Sequence, residues 1–334
     1  MASYRDVDAE LSTLVDARTT PDTGDEEDDG ISAALIRLAD DDPDTAIAVC
    51  AAKIVESNAA CRAVAAELLG YAADAAHRLR QPVAATLAAA ADIESDTETL
   101  ATMIRALART AEPTCVPLLR KYAVSSGSQV RLSVVLALSE LVVGVPDEAT
   151  SAVLLDLMSD SDDDVREWAT FVVGYQMAMD GDRLRKLLYR ALSDPSPAVR
   201  EEAVRGLACR RDPVALPGLF QQLQAIPAPT FAVEACARMH HESLLPSLLD
   251  HYYRAGDDDA LYAYAMCADN VLRTGTFAAS LLGVVSESLG HSGIGASASI
   301  ASPLYDFGLE LHLDGAGNEP IPILRTLESV RFAL

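Results

Sequence analysis

Aromatic side chains make up only 5% of the 334 residues, and Trp168 is the single tryptophan. That scarcity argues against a β-sandwich or barrel, whose strands draw on aromatic and β-branched residues at a period of two. Lysine is nearly missing too: Lys53, Lys121 and Lys186 occur, and every other basic side chain is an arginine. With 50 acidic against 26 basic side chains the formal charge is -24, which repels phosphate backbones and anionic lipid. Nucleic acid and membrane surfaces are therefore not expected as partners, whereas a basic protein would match the charge. A GC-rich genome or a salt-adapted cytosol would give the same bias with no partner at all. The six cysteines form no CxxC pair and sit in alanine-rich contexts, as small buried thiols do. No apolar run approaches the ~18 residues of a membrane helix. No basic flank leads into an apolar core near residue 1, so the expected compartment is a reducing cytoplasm.

What the sequence has instead is small and aliphatic residues in long runs, such as "AACRAVAAELLGYAADAA" and "VAATLAAAADIE", suited to close-packed helices. A period runs through them. Val130-Arg131, Val165-Arg166 and Val199-Arg200 are separated by steps of 35 and 34 residues. After each arginine, the third and seventh residues are small or aliphatic: Val134 and Leu138, Ala169 and Val173, Ala203 and Leu207. With the preceding valine they form a stripe at i, i+4, i+8 on one helix face. Ahead of the arginines lie polar turns, "SSGSQVR", "DSDDDVR" and "DPSPAVR", with Asp160 and Asp194 six residues before Arg166 and Arg200. Such turns supply N-caps and place acid at the positive end of a helix dipole. Pro117, Pro217 and Pro246 recur in one setting within the first helix of a pair, where proline is expected to remove a backbone hydrogen bond and bend the helix. Divergent copies surround Arg62 and Leu100.

Helix pairs with proline in the first helix, aspartate at the turn and arginine six residues later resemble HEAT repeats, specifically the short bacterial PBS-lyase-like kind. The resemblance covers residues 43 to 270 and is strongest from 117 to 220, through "DDDVREWATFVVG" and "SDPSPAVREEAVRGLACRRDPVALPGL". It implies an all-α fold, an armadillo-like α-solenoid of antiparallel helix pairs in which Asp and Arg link neighbouring turns as an internal ladder. Only two repeats carry both Asp and Arg, and Ser125 replaces the acid in one. The expected organisation is a short helix and acidic flexible linker over 1–30, HEAT-like repeats over 31–274, and a C-terminal cap of helix plus β-hairpin over 275–334.

Three local patterns invite chemistry. Asp160, Asp162 and Asp164 match the start of an EF-hand loop, but Val165 and Phe171 stand where its Gly and bidentate Glu belong. His240, His241, Glu242, Asp250 and His251 cluster in sequence. The deoxyhypusine hydroxylases, HEAT-repeat enzymes, build a di-iron centre from several His-Glu pairs; this chain has one such pair in that region. Gly293, Gly295 and Ala298 have GxGxxA spacing without the strand-turn-helix context of a dinucleotide site. No metal, cofactor or catalytic set is expected from them.

If the stripe faces the core, the residues one and five after each arginine point outward, at 100° per residue. They are Leu132 and Leu136, Glu167 and Phe171, Glu201 and Arg205. In a HEAT array this row lines the concave face, and its apolar members form a candidate partner patch ringed by acid. Trp168, two after its arginine, is expected to pack sideways on an adjacent repeat. The resulting expectation is a non-catalytic scaffold or adaptor that binds a protein or peptide. The alternatives are a metal-dependent enzyme or enzyme accessory, or a neutralising partner of a basic protein.

Overall fold

The computed structural model describes residues 4–19, 25–257, 259–260, 263–264, 267, 297–301, 310–314 and 321–322. Among them, α1 (Tyr4–Arg18) and α2 (Asp25–Asp41) precede the pairs α3 (Pro43–Lys53) with α4 (Ala59–Ala75) and α5 (Arg80–Ile93) with α6 (Thr97–Arg109). Next come α7 (Val116–Tyr122) with α8 (Ser128–Leu141) and α9 (Glu148–Leu157) with α10 (Asp163–Phe171). The series continues as α11 (Asp182–Ala191), α12 (Pro197–Cys209), α13 (Leu216–Gln222), α14 (Thr230–Met239) and α15 (Leu245–Ala255). Three short strands, β1 (Ser297–Ala301), β2 (Glu310–Asp314) and β3 (Ile321–Pro322), pair antiparallel in that order, with Ser297 opposite Asp314 and Glu310 opposite Pro322. The remainder of 275–334, including Gly293 and Gly295, lies outside the described residues.

The chain divides into two compact units, residues 1–187 and 188–334. In the first, α4, α6, α8 and α10 pack side by side in sequence order, and α3, α5, α7 and α9 each cover their partner. The periodic stripe is its core: Val130, Val134, Leu138, Val165, Ala169 and Val173 are fully buried. Small side chains let α4 and α6 approach closely, and a Cβ on Gly70 would sit 3.1 Å from the Ala106 Cα. In the second unit, Val199, Ala203 and Leu207 of α12 are likewise buried, and Ala191 and Leu192 pack against Val199 and Ala203.

Two expectations need correction. The acidic stretch is helical from Asp25, not a linker through residue 30, because its Asp-Glu-Glu-Asp run opens α2, where the helix dipole favours negative residues. On the same helix Ile31, Leu35 and Leu38 are buried, and α1 buries Val7, Leu11 and Val15. Nor do the periodic prolines bend helices. Pro117, Pro217 and Pro246 each occupy the first turn of α7, α13 and α15, directly after a 3-10 turn. A first-turn residue has no intrahelical acceptor for its N–H, so proline removes no hydrogen bond there. Six residues before each proline the chain turns through a left-handed residue, Ala111, Arg211 and His240, with φ of 49°, 51° and 50°. The repeat's outer joint is thus a left-handed residue, a 3-10 turn and a proline-started helix.

The arginine ladder is built from rungs between consecutive repeats. Arg131 grips the Asp160 carboxylate through Nε and Nη2, both at 2.7 Å, and its Nη1 donates to the Ser125 and Ser126 carbonyls at 2.8 and 3.2 Å. Arg62 does the same, to Glu94 at 2.7 and 2.8 Å and to the Glu56 and Ser57 carbonyls at 2.8 and 3.0 Å. Arg166 and Arg200 hold the carbonyls five and six residues before them in the same way, Arg166 at 3.0 and 3.2 Å and Arg200 at 2.7 and 2.9 Å. Each acid lies six residues before the next repeat's arginine position, and Glu94 fills that place before Leu100. The two departures from the pattern are therefore one. Leu100 has no guanidinium to offer, and the residue that would receive it, Ser125, has no carboxylate.

Candidate protein-interaction face

The aspartates of the EF-hand-like stretch serve the turn. Asp160 is the ladder acid and accepts the Asp162 N–H at 2.9 Å, while the Asp162 carboxylate caps α10 at the Val165 N–H, 3.3 Å. Burial pushes the Asp160 carboxyl up, yet the Arg131 guanidinium and the Asp162 N–H outweigh it and hold it below the ordinary aspartate range. Glu94 is held low chiefly by Arg62. These carboxylates are committed to structure.

The histidines are separated as well. His240 is the left-handed joint residue and lies 3.4 Å from an Arg211 nitrogen, and His241 caps the following 3-10 turn at the Ser243 N–H. His251 is fully buried on α15, 3.3 Å from Asp257. Among the described residues no three His, Cys, Asp or Glu side chains come together in a metal-binding group. All six cysteines are free, and burial pushes the Cys267 thiol up to about 11.

Leu132, Leu136, Glu167 and Phe171 fall at matching positions on the adjacent helices α8 and α10, each only partly buried, between the sealed stripe and solvent. Phe171 has company that the sequence reading missed. Trp168 is 40% exposed and meets the Phe171 ring edge-on, with centroids 5.6 Å apart. Tyr175 stacks on the other side of Phe171 at 5.7 Å. After Phe171, α10 continues as one π-helical turn, Val172–Gln176, closed by the Met177 N–H to the Val172 carbonyl at 2.9 Å. The spacing 168, 171, 175 is an i, i+3, i+7 helical row, the signal that could have revealed the trio.

In the second unit, Glu201 is exposed as expected. Arg205 is not an outward contact residue: its side chain is 12% exposed, paired with Glu234 at 3.1 Å and Glu202 at 3.7 Å, so it ties α12 to α14. A charged side chain beside an acid on the neighbouring helix folds onto it, which a wheel of one helix does not show.

Repeated helix pairs, a buried stripe and an arginine ladder define an α-solenoid of HEAT repeats. The family described as HEAT repeats matches residues 84–174 and again 151–230. The chain is similar to Protein YibA of Escherichia coli K12 and of strain O157:H7, 30% identical over 117 residues that make up 35% of this chain. It spans about two fifths, 41%, of the length of these curated relatives. The X-ray structure of YibA matches at a TM-score of 0.55 and 22% identity, over 80% of this chain and 97% of YibA, a likeness of fold. No helix among the described residues is long and apolar enough to cross a membrane.

Proposed function

We propose that this HEAT-repeat chain is a non-catalytic scaffold or adaptor in a reducing cytoplasm, binding a protein or peptide on the outward face of its second helices without a cofactor. The observation that carries the reading is the row Leu132, Leu136 and Phe171, extended by the 40% exposed Trp168. Apolar and aromatic side chains left at a surface this acidic favour a protein partner, since aromatic residues are enriched at the desolvated centre of interfaces. Stacked repeats offer long surfaces suited to that task. Six free thiols, five of them buried, suit a reducing compartment. The alternative, a metal-dependent enzyme or accessory subunit using His240 to His251, has less to support it, because each histidine serves a separate structural contact. A neutralising partner of a basic protein would use the net charge of -24 instead of the apolar row.

Affinity capture from the native lysate with wild type and with Leu136→Asp/Phe171→Asp tests the reading. At least one partner is expected to be retained by wild type and lost by the variant. Identical partner profiles from the two proteins overturn it.

A further inference from the structure

The outward row continues upstream of the residues that motivate the proposed function. Five residues after the arginine position of successive repeats stand Glu67 on α4, Arg105 on α6, Leu136 on α8 and Phe171 on α10. Glu67 is already neutralised by Arg18 at 3.0 Å. Arg105 differs. It is exposed, and it donates to two neutral hydroxyls: Nη1 to Ser133 Oγ at 3.1 Å and Nη2 to Thr102 Oγ1 at 2.9 Å. Among the described residues no carboxylate lies within ion-pair distance of it, although Glu67 and Glu98 are near enough to act on its charge, in a chain that carries 50 acidic side chains against 26 basic ones. Ser133 neighbours Leu132 in sequence, so Arg105 reaches across from α6 to α8 and stands at the edge of the apolar row.

Two hydroxyls that steady a guanidinium leave donors of its planar fork for a ligand, and that fork matches a carboxylate bidentately. The spacing of the row narrows the ligand further. Packed helices lie about 8–10 Å apart. A polyproline II chain rises about 3.1 Å per residue with three residues per turn, so every third side chain returns to one face after about 9.3 Å. A β-strand alternates faces, and its same-face side chains recur at about 6.6 Å or 13 Å, out of step with the helices.

We propose that the second-helix face of the first unit binds a polyproline II segment whose carboxylate side chain is taken by Arg105 and whose third and sixth residues further along are apolar. The aliphatic third residue seats on Leu136, and the aromatic sixth meets Phe171 and the exposed edge of Trp168. This rests on the protein-binding reading and specifies its partner as acidic at the anchor, although the charge of the chain as a whole would select a basic one.

The test is fluorescence anisotropy of the full chain with labelled, end-capped peptides EPALPAF, QPALPAF and KPALPAF, and with FPALPAE for the opposite chain direction. One of the two glutamate peptides is expected to bind at least tenfold tighter than the glutamine and lysine peptides. Arg105→Gln is expected to abolish that preference while leaving the thermal melt unchanged, and Leu136→Asp to weaken all four peptides. Should Arg105→Gln fold poorly, Arg105→Lys keeps the charge without the fork and is expected to retain part of the preference. Equal or tighter binding of the lysine peptide, still lost in Leu136→Asp, overturns the carboxylate anchor and leaves the protein-binding face standing. So does a glutamate preference that survives Arg105→Gln. If none of the peptides binds at millimolar concentration, the polyproline segment is overturned. Lysate capture that still depends on Leu136 and Phe171 would then show that the broader reading survives it.

Discussion

Replacing Asp160 by serine gives the most direct test of the ladder. The substitution removes two charge-assisted hydrogen bonds of 2.7 Å from Arg131, whose side chain is 11% exposed, while a serine hydroxyl can still accept the Asp162 N–H, as Ser125 accepts the Gly127 N–H at 3.3 Å. Hydrogen bonds to charged groups contribute about 1.5–3 kcal/mol each, and stripping one partner from a buried pair costs about 3–5 kcal/mol. The residual exposure and the two carbonyls that Arg131 keeps lower this to about 2–4 kcal/mol. Arg131→Leu/Asp160→Ser should cost clearly less than the sum of its single substitutions, with a coupling of at least ~1 kcal/mol. The reason is on the neighbouring rung, where the chain itself has Leu100 and Ser125 at the two ladder positions. Urea unfolding followed by Trp168 fluorescence reads the effect locally, since the only tryptophan sits on α10, which Asp162 caps. A shift under ~0.5 kcal/mol for Asp160→Ser, or strict additivity in the double variant, refutes the reasoning. Acid gives a second reading. Because the folded carboxyl of Asp160 is held low, its contribution is complete above the unfolded aspartate value of about 3.9 and is lost as pH falls through the lower folded value. The stability gap between wild type and Asp160→Ser should therefore hold from neutral pH to about 4 and narrow below it.

The remaining predictions concern the joints and the close contacts. A Cβ on Gly218 would lie 2.4 Å from Val204 Cγ2, so Gly218→Ala should destabilise the second unit by about 1–3 kcal/mol, and Gly218→Ala/Val204→Ala should recover part of that in urea melts. Ala111 holds a left-handed conformation at φ 49°. Ala111→Gly should stabilise the first unit by about 0.5–1 kcal/mol in urea melts, the opposite of glycine's effect inside a helix, and a loss would show that the strain is not there.

Much of the architecture was legible in residues that speak for themselves. A valine, an arginine and two small residues at fixed offsets mark one helix face, and their 34- and 35-residue recurrence marks the repeat. The sealed stripe follows from that spacing alone, because helical periodicity is a local property of the chain. The turn aspartates were legible for the same reason, since an N-cap acts within three residues of itself, as Asp162 does on Val165.

Other features depended on what stacks against what. Arg62 finds Glu94 across 32 residues and Arg131 finds Asp160 across 29, so the rungs, and the matched loss at Leu100 and Ser125, emerge only once repeats are set side by side. The prolines looked like helix benders because sequence does not reveal that a 3-10 turn separates them from the preceding helix. Arg105 and Arg205 hold the same position in their repeats, yet one meets hydroxyls and the other two glutamates. The sequence by itself determined the helices, their buried stripe and the period that stacks them, all set by short-range steric and hydrophobic rules. Tertiary structure alone decided which outward side chains stay available to a partner, because a charge at a surface is claimed or left by whatever neighbouring helix packing brings within hydrogen-bond reach.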